Sequence, residues 1–325
     1  MKLPRRKFLH LAASAAALPA MSRLARAQVY PTRPVRIIVG FPPGGAQDVP
    51  ARMIGEWLSE QLGQPFGVEN QPGAGTNIAT EAVVRATADG HTLLLVVAAN
   101  TVNASLYDKL PFNFIRDIAP VASVSRVPLV VTVHPSVPAN SFPEFLAYAK
   151  ANPGKINMGS TGNGGTPHLA GELFKMMAGV DLVHTPFRGA DGAQAGVVDG
   201  HAQVMFSILP EAIANIRAGK LRALAATTAA RLELLPDLPT VGDFVPGYEA
   251  STWNGIGVPR ATPVEIVDRL NRTINAGLAD PKIKARFAEL GSTILSGSAA
   301  DFGKFIASET EKWAKVVKFA GLKSG

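Results

Sequence analysis

The chain of 325 residues contains no cysteine. This excludes disulfides, thiolate metal sites and cysteine nucleophiles. Beyond residue 27, no apolar run approaches the roughly 20 residues needed to cross a bilayer as a helix. Catalytic signatures are also missing: there is no G-x-S-x-G elbow, no H-E-x-x-H helix, no P-loop and no EF-hand loop. The five histidines after residue 27 are His91, His134, His168, His184 and His201, and none stand at metal-ligand spacing on one helix face. A surplus of positive charge is lacking once the first 27 residues are set aside. That segment holds Lys2, Arg5, Arg6, Lys7, Arg23 and Arg26 and no acid, which leaves 26 basic residues against 25 acidic ones. The net charge of +7 then falls to about +1 and provides no basic patch for nucleic acid.

Those first 27 residues have a pattern of their own. Arg5-Arg6-Lys7-Phe8-Leu9-His10 is a twin-arginine start, residues 9–20 are apolar and rich in Ala and Leu, and Ala25-Arg26-Ala27 is a small-x-small cleavage site. Together they predict a signal peptide over residues 1–27, removed on export to the periplasm. The paired arginines favour the twin-arginine route. Pro4 before the pair and His10 after Phe8-Leu9 depart from its usual form, so the general secretory route stays open.

Residues 28–325 are enough for two cores of ordinary size, and without disulfides stability must come from those cores. The pattern alternates strands and helices. Strands are expected at residues 35–39, 66–69 and 92–98, with helices at 51–62 and 76–88 between them. Residues 92–98 are continuously apolar, as in a strand buried on both faces. This βαβαβ order predicts a parallel sheet covered by helices. A second series follows. It has strands at 129–133, 156–159, 182–184, 202–206 and 221–227, and helices opening at Ser141 and spanning 166–177 and 190–198. A strand at 253–258 then leads into helices from about Pro263, at 281–290 and at 299–319. Periodicity alone does not decide between two consecutive units and two interleaved lobes.

Two glycine-rich loops stand between a strand and a helix: Phe41-Pro42-Pro43-Gly44-Gly45-Ala46-Gln47-Asp48 and Gly159-Ser160-Thr161-Gly162-Asn163-Gly164-Gly165-Thr166-Pro167-His168. In a parallel sheet such loops lie at the carboxyl ends of strands, where ligands bind. Glycine allows close backbone approach, and the free N–H groups of the following helix favour an anion. Thr166 is the expected N-cap, with Pro167 at the first helical position. Tight turns alone would also account for these glycines. Asp48 could serve the site or simply complement the dipole of its own helix. His168, in the first turn of its helix, could donate to a carboxylate or cap the helix. Arg188 could face the cleft or be a solvated charge. A third cluster, Gly73-Ala74-Gly75-Thr76-Asn77, imitates a dinucleotide fingerprint but places Ile78 where the third glycine belongs.

These loops, in this order, resemble the periplasmic receptors of tripartite tricarboxylate transporters, the Bug or TctC-like family. The resemblance runs over the whole chain after residue 27. It includes Pro34-Val35-Arg36-Ile37-Ile38-Val39, Phe41-Pro42-Pro43-Gly44-Gly45, Glu69-Asn70-Gln71-Pro72-Gly73-Ala74-Gly75 and Asp89-Gly90-His91-Thr92-Leu93. It continues through Gly159-Ser160-Thr161-Gly162, His168-Leu169-Ala170-Gly171-Glu172-Leu173-Phe174, Gly219-Lys220-Leu221-Arg222-Ala223-Leu224-Ala225 and Leu235-Pro236-Asp237-Leu238-Pro239-Thr240. The resemblance implies an α/β, two-lobed, type II-like periplasmic-binding-protein fold, each lobe a mixed, mostly parallel sheet with flanking helices. It implies lobe 1 at 28–129 plus 228–325 and lobe 2 at 130–227. It also implies no catalysis, no cofactor, no metal and a monomer that delivers a small carboxylate to integral-membrane transporter subunits.

On this resemblance one wall of the site maps onto Phe41, Gly44, Gly45 and Ala46, with Asp48 as a further candidate beside them, and the other onto Ser160, Thr161, Gly165, Thr166 and His168. Thr76, Asn77, Asn100, Arg188 and Ser207 complete the candidate set. Where the family has Pro-Tyr-Lys-Gly, this chain has Pro186-Phe187-Arg188-Gly189. Where members often carry an acid or amide, it has Ser207, which cannot pair an ammonium. The expected ligand is therefore an amine-free di- or aromatic carboxylate. The rival readings are a ligand-sensing partner of a membrane sensor kinase and a periplasmic enzyme.

Overall fold

A computed structural model describes residues 30–323; the signal peptide and cleavage site expected from the sequence lie outside the described residues. The first βαβαβ series forms as the hydrophobic pattern dictates. Strand β1 (Val35–Val39) leads through the first glycine loop into α1 (Asp48–Leu62), which Gly63 ends in the left-handed conformation at φ 74°. Strand β2 (Phe66–Asn70) leads through a 3₁₀ turn (Ala74–Thr76) into α2 (Asn77–Val84). Strand β3 (Thr92–Val97) is buried at every position and passes directly into α3 (Ala98–Leu106).

A short α4 (Phe114–Asp117) precedes β4 (Ile118–Val133), a strand of 16 residues. The strand predicted at 129–133 is only its last third. The second series is α5 (Phe142–Ala151), β5 (Asn157–Ser160), α6 (Thr166–Ala178), β6 (Val183–Pro186), α7 (Gly189–Val198), β7 (Val204–Ile208), α8 (Leu209–Arg217) and β8 (Arg222–Ala226). The chain then forms β9 (Ser251–Pro259), α9 (Val264–Ala279), α10 (Pro281–Glu289), β10 (Thr293–Ile294) and α11 (Ala299–Phe319).

The strands join in the order β2-β1-β3-β9-β4-β7-β5-β6, with β8 and β10 both pairing β4. Strand β4 belongs to both halves. Its residues 118–128 pair with β9, and its residues 129–133 pair with β7. The pairings settle which edges meet. Strands β1, β2 and β3 are mutually parallel, and β9 is antiparallel to both β3 and β4, so the first three run in the direction of β4, toward the second half. Strand β7 is antiparallel to β4 and parallel to β5, which is parallel to β6, so these three run back toward the first half. The carboxyl ends of the two parallel sets therefore face each other across the junction.

Each half has its own core, built on the two-residue period of its strands. In β1 and β3, Ile37, Val39, Leu95 and Val97 pack with Ile54 and Leu58 of α1 and Leu270 and Ile274 of α9. Ile38, Leu94 and Val96 face the other way, onto Phe112, Trp253 and Phe302. The second core gathers Val131, Phe142, Phe145, Phe174 and Phe206, and it also takes Tyr248, Trp313, Val316 and Val317 from later in the chain. Helix α11 thus contributes Phe302 and Ile306 to one core and Trp313 to the other. Between those positions the buried Glu309 accepts hydrogen bonds from Trp253 Nε1 and Trp313 Nε1, each at 3.0 Å, and pairs with Lys312.

Two chain crossings lie side by side at the junction. Thr227 donates its N–H to Leu129 O at 3.0 Å, and its hydroxyl lies 2.9 Å from Leu129 O and 2.6 Å from Ala250 O. Arg126 on β4 forms an ion pair with Glu249, just before β9.

Candidate ligand-binding cleft

The first wall is the loop between β1 and α1. Gly44 takes φ 80°, and its N–H donates to Asp48 Oδ2 at 2.8 Å. The Asp48 carboxylate also accepts from Arg52 Nε at 2.7 Å and from Asn70 Nδ2 at 2.8 Å, while Asn70 Nδ2 donates to Phe41 O at 2.9 Å. Burial pushes the Asp48 pKa up, but the hydrogen bonds from Arg52, Gly44 and Asn70 outweigh it, and the carboxyl lies below its ordinary range. Asp48 is thus 1% exposed and turned back into its own loop, where it sets the loop's shape. Three backbone donors remain. The N–H groups of Gly45, Ala46 and Gln47 have no acceptor among the described residues, and Gly44, Gly45 and Ala46 are exposed. Phe41 is half-buried beside them.

Behind this loop lies the turn before α2. A Cβ on Gly40 would fall 2.7 Å from Thr76 Cβ, so only glycine admits Thr76 there. Thr76 itself adopts φ 80° and Ala74 φ 46°, a left-handed backbone that costs a non-glycine residue about 1–3 kcal/mol. A buried amide network holds it. Asn100 Nδ2 donates to Thr76 Oγ1 at 3.0 Å and to Thr80 Oγ1 at 2.9 Å, and Asn100 Oδ1 accepts from Val97 N at 2.7 Å. Asn103, which no motif in the sequence marks, donates to Gly75 O at 2.6 Å and to Asn77 Oδ1 at 2.8 Å. Thr76 and Asn100 are therefore committed within this wall. Asn77 Nδ2 is buried without a partner among the described residues.

The opposite wall is the loop between β5 and α6. The N-cap of α6 is Gly165 rather than the predicted Thr166, and no side chain caps it. The helix therefore starts one residue earlier than its capping pattern suggested, with Thr166 and not Pro167 at the first helical position. Its first N–H groups, at Thr166 and His168, have no acceptor among the described residues, nor do the hydroxyls of Thr161 and Thr166. Ser160 is buried, with Oγ 2.6 Å from His184 Nε2 and accepting Gly162 N–H at 3.2 Å.

Two candidate side chains, His168 and Ser207, are engaged within their own half. His168 is 2% exposed: Nδ1 accepts Gly164 N–H at 3.1 Å, and Nε2 lies 3.6 Å from Glu172. Its ring nitrogens are both directed at groups of the same half, so the ring offers the cleft no donor. Ser207 is fully buried, its Oγ 2.6 Å from Thr132 Oγ1 between β4 and β7. It is an internal sheet contact because its position on the strand faces inward. Phe187 lies over α7, where a Cβ on Gly196 would fall 2.3 Å from its ring. Arg188, by contrast, is exposed at the N-cap of α7, on the carboxyl edge of β6, with no ion pair among the described residues.

The family model for the tripartite tricarboxylate transporter family receptor matches residues 50–322. The chain is 35% identical over 300 residues to the protein BugT of Bordetella pertussis, covering 91% of this chain and 92% of that one. Among solved structures, R. palustris Rpa4515 with adipate superposes with a TM-score of 0.77 at 35% identity, covering 90% of this chain and 99% of that one. MatC from Rhodopseudomonas palustris with bound malate gives a TM-score of 0.73 at 28% identity, covering 89% and 100%. The matched family is one of solute-binding receptors rather than enzymes. The chain belongs to the tripartite tricarboxylate transporter receptor family.

Proposed function

We propose that this protein is a periplasmic receptor that holds a small, amine-free dicarboxylate between its lobes and passes it to integral-membrane transporter subunits. One observation carries this reading: the N–H groups of Gly45, Ala46 and Gln47, after β1, and of Thr166 and His168, after β5, have no acceptor among the described residues, and both loops follow carboxyl ends that the strand directions turn toward each other. Such donors suit a carboxylate without a full positive charge nearby. Arg188 supplies a free guanidinium for the second carboxylate, with bidentate geometry. Asp48 supports the absence of an amine from the ligand, since its carboxylate is fully occupied by Arg52, Gly44 and Asn70. Lobe 1 comprises 28–129 and 228–325, and lobe 2 comprises 130–227, with the crossings at Val127–Leu129 and beside Thr227. The bound adipate and malate of the relatives support the ligand class.

A thermal-shift and calorimetric screen tests the reading with adipate, malate, benzoate, aspartate and glutamate. Adipate or malate should raise the melting temperature as RT ln(1 + [L]/Kd) requires, with no loss of ligand. Arg188→Ala should weaken a dicarboxylate by about 10- to 100-fold and leave benzoate nearly unaffected. Conversion of the ligand would favour an enzyme, and tight binding of aspartate with no response to adipate or malate would sink the amine-free assignment. N-terminal sequencing of the exported protein checks cleavage after Ala27.

A further inference from the structure

Behind the second glycine loop, His168 on α6 and His184 on β6 stack face to face, with ring centroids 3.5 Å apart and planes 4° apart. The pair grips the loop at two points. His184 Nε2 meets Ser160 Oγ, which in turn accepts Gly162 N–H. His168 Nδ1 accepts Gly164 N–H at 3.1 Å. That second bond defines the state of the ring. A nitrogen that accepts carries no proton, so neutral His168 holds its proton on Nε2, toward Glu172 Oε1. Gly164 takes φ 72°, and a Cβ there would lie 3.0 Å from Leu106 Cδ2 on α3 of the other half. The loop residue held by His168 is therefore also a point where the two walls touch.

The groups facing the pair are Glu172 and Lys175 on α6, Asp181 before β6 and Lys323 after α11, around a cavity of about 600 Å³. Lys175 Nζ bonds Glu172 Oε1 at 2.9 Å, so the carboxylate is shared between an ammonium and the His168 ring. Burial, and then the charge of His168, push the His184 pKa down to about 4, so that ring stays neutral above pH 5.

We propose that His168 is a positioning residue: its neutral ring holds Gly164 through Nδ1, and proton uptake at Nδ1 releases the loop and weakens ligand binding. An imidazolium would place Nδ1–H against Gly164 N–H, donor against donor, and the loop must shift. The binding half of this inference rests on the receptor reading above; the loop-holding half does not.

The test uses the full mature chain, ¹⁵N-labelled, between pH 5 and 8, with His168→Asn and His168→Gln. Asparagine places an acceptor near the Nδ1 position, whereas glutamine reaches only toward the Nε2 position. In the wild type the Gly164 amide resonance should move with the protonation of His168, and adipate affinity should fall about 3- to 10-fold on acidification. His168→Gln should displace the Gly164 resonance and weaken adipate at every pH. His168→Asn should recover most of that loss and flatten the pH profile. A Gly164 amide indifferent to His168 protonation, or identical behaviour of the two variants, overturns the proposal. The wild-type titration decides the loop-holding role even if a variant fails to fold. It also needs no ligand, so a failure of adipate to bind counts against the receptor reading alone.

Discussion

Glu211, at the third position of α8, shows how one residue can report on its surroundings. Burial, and then the negative charge of Asp191, raise its pKa from 4.5 to about 7, and Oε2 has no partner among the described residues. A carboxyl with a raised folded-state pKa contributes fully below its unfolded value. That contribution is lost as pH rises from 4.5 through about 7, because the folded state must then hold a poorly solvated charge. Glu211→Gln mimics the protonated form. Its melting temperature should match the wild type near pH 4.5 and exceed it at pH 8, by the equivalent of about 1–3 kcal/mol. Equal stability at both pH values would count against the burial argument. Nothing in the sequence singled out Glu211, since its neighbour Asp191 comes from a different helix. Asp48 and His168 were visible in the sequence as functional candidates. What the sequence could not show was the direction of their side chains, toward Gly44 and Gly164 in their own loops.

At the scale of elements, the strongest local patterns formed where they were expected. The six-residue apolar run of β3 is buried throughout, and Ser141 caps α5 by accepting Glu144 N–H. Helices α3 and α8 were missed because each begins at the residue after a strand, with no loop to mark the change. The first two-thirds of β4 was missed because Pro120, Ser123, Ser125 and Arg126 interrupt the apolar pattern; two register shifts against β9 absorb them. Helix α11 is amphipathic on its own, but the sequence does not say that its two ends enter different cores. Trp313 is 1% exposed and packs in the second core. Trp313→Ala should remove about 3–5 kcal/mol, lowering the midpoint of urea unfolding, and should leave Glu309 short of one donor. A loss below about 1 kcal/mol would show that the end of α11 is not part of that core.

For the whole molecule, the two halves are not separable beads. The second core needs Tyr248, Trp313, Val316 and Val317, all outside residues 130–227. A fragment of 130–227 should therefore lack a cooperative unfolding transition, although it contains five strands' worth of sheet residues. A sharp calorimetric transition from that fragment would contradict this. The halves are joined at the crossings at Leu129 and Thr227, where Arg126 and Glu249 are paired, and along the length of α11.

The alternation of strands and helices, the two glycine loops and the absence of thiolate chemistry are all legible along the chain, because they depend on local spacing and on residue type. Tertiary structure decided the rest. Only the pairing of β4 with β9 and then with β7 turns two sets of carboxyl ends toward each other. Only packing decides that Ser207 bonds Thr132 inside the sheet while Arg188 stays exposed at its edge. The physical reason is one of range. A loop's glycines and a helix's free N–H groups are set by neighbours a few residues away, whereas the partner of a side chain is set by residues such as Asn70, Thr132 and His184, which lie tens of positions along the chain.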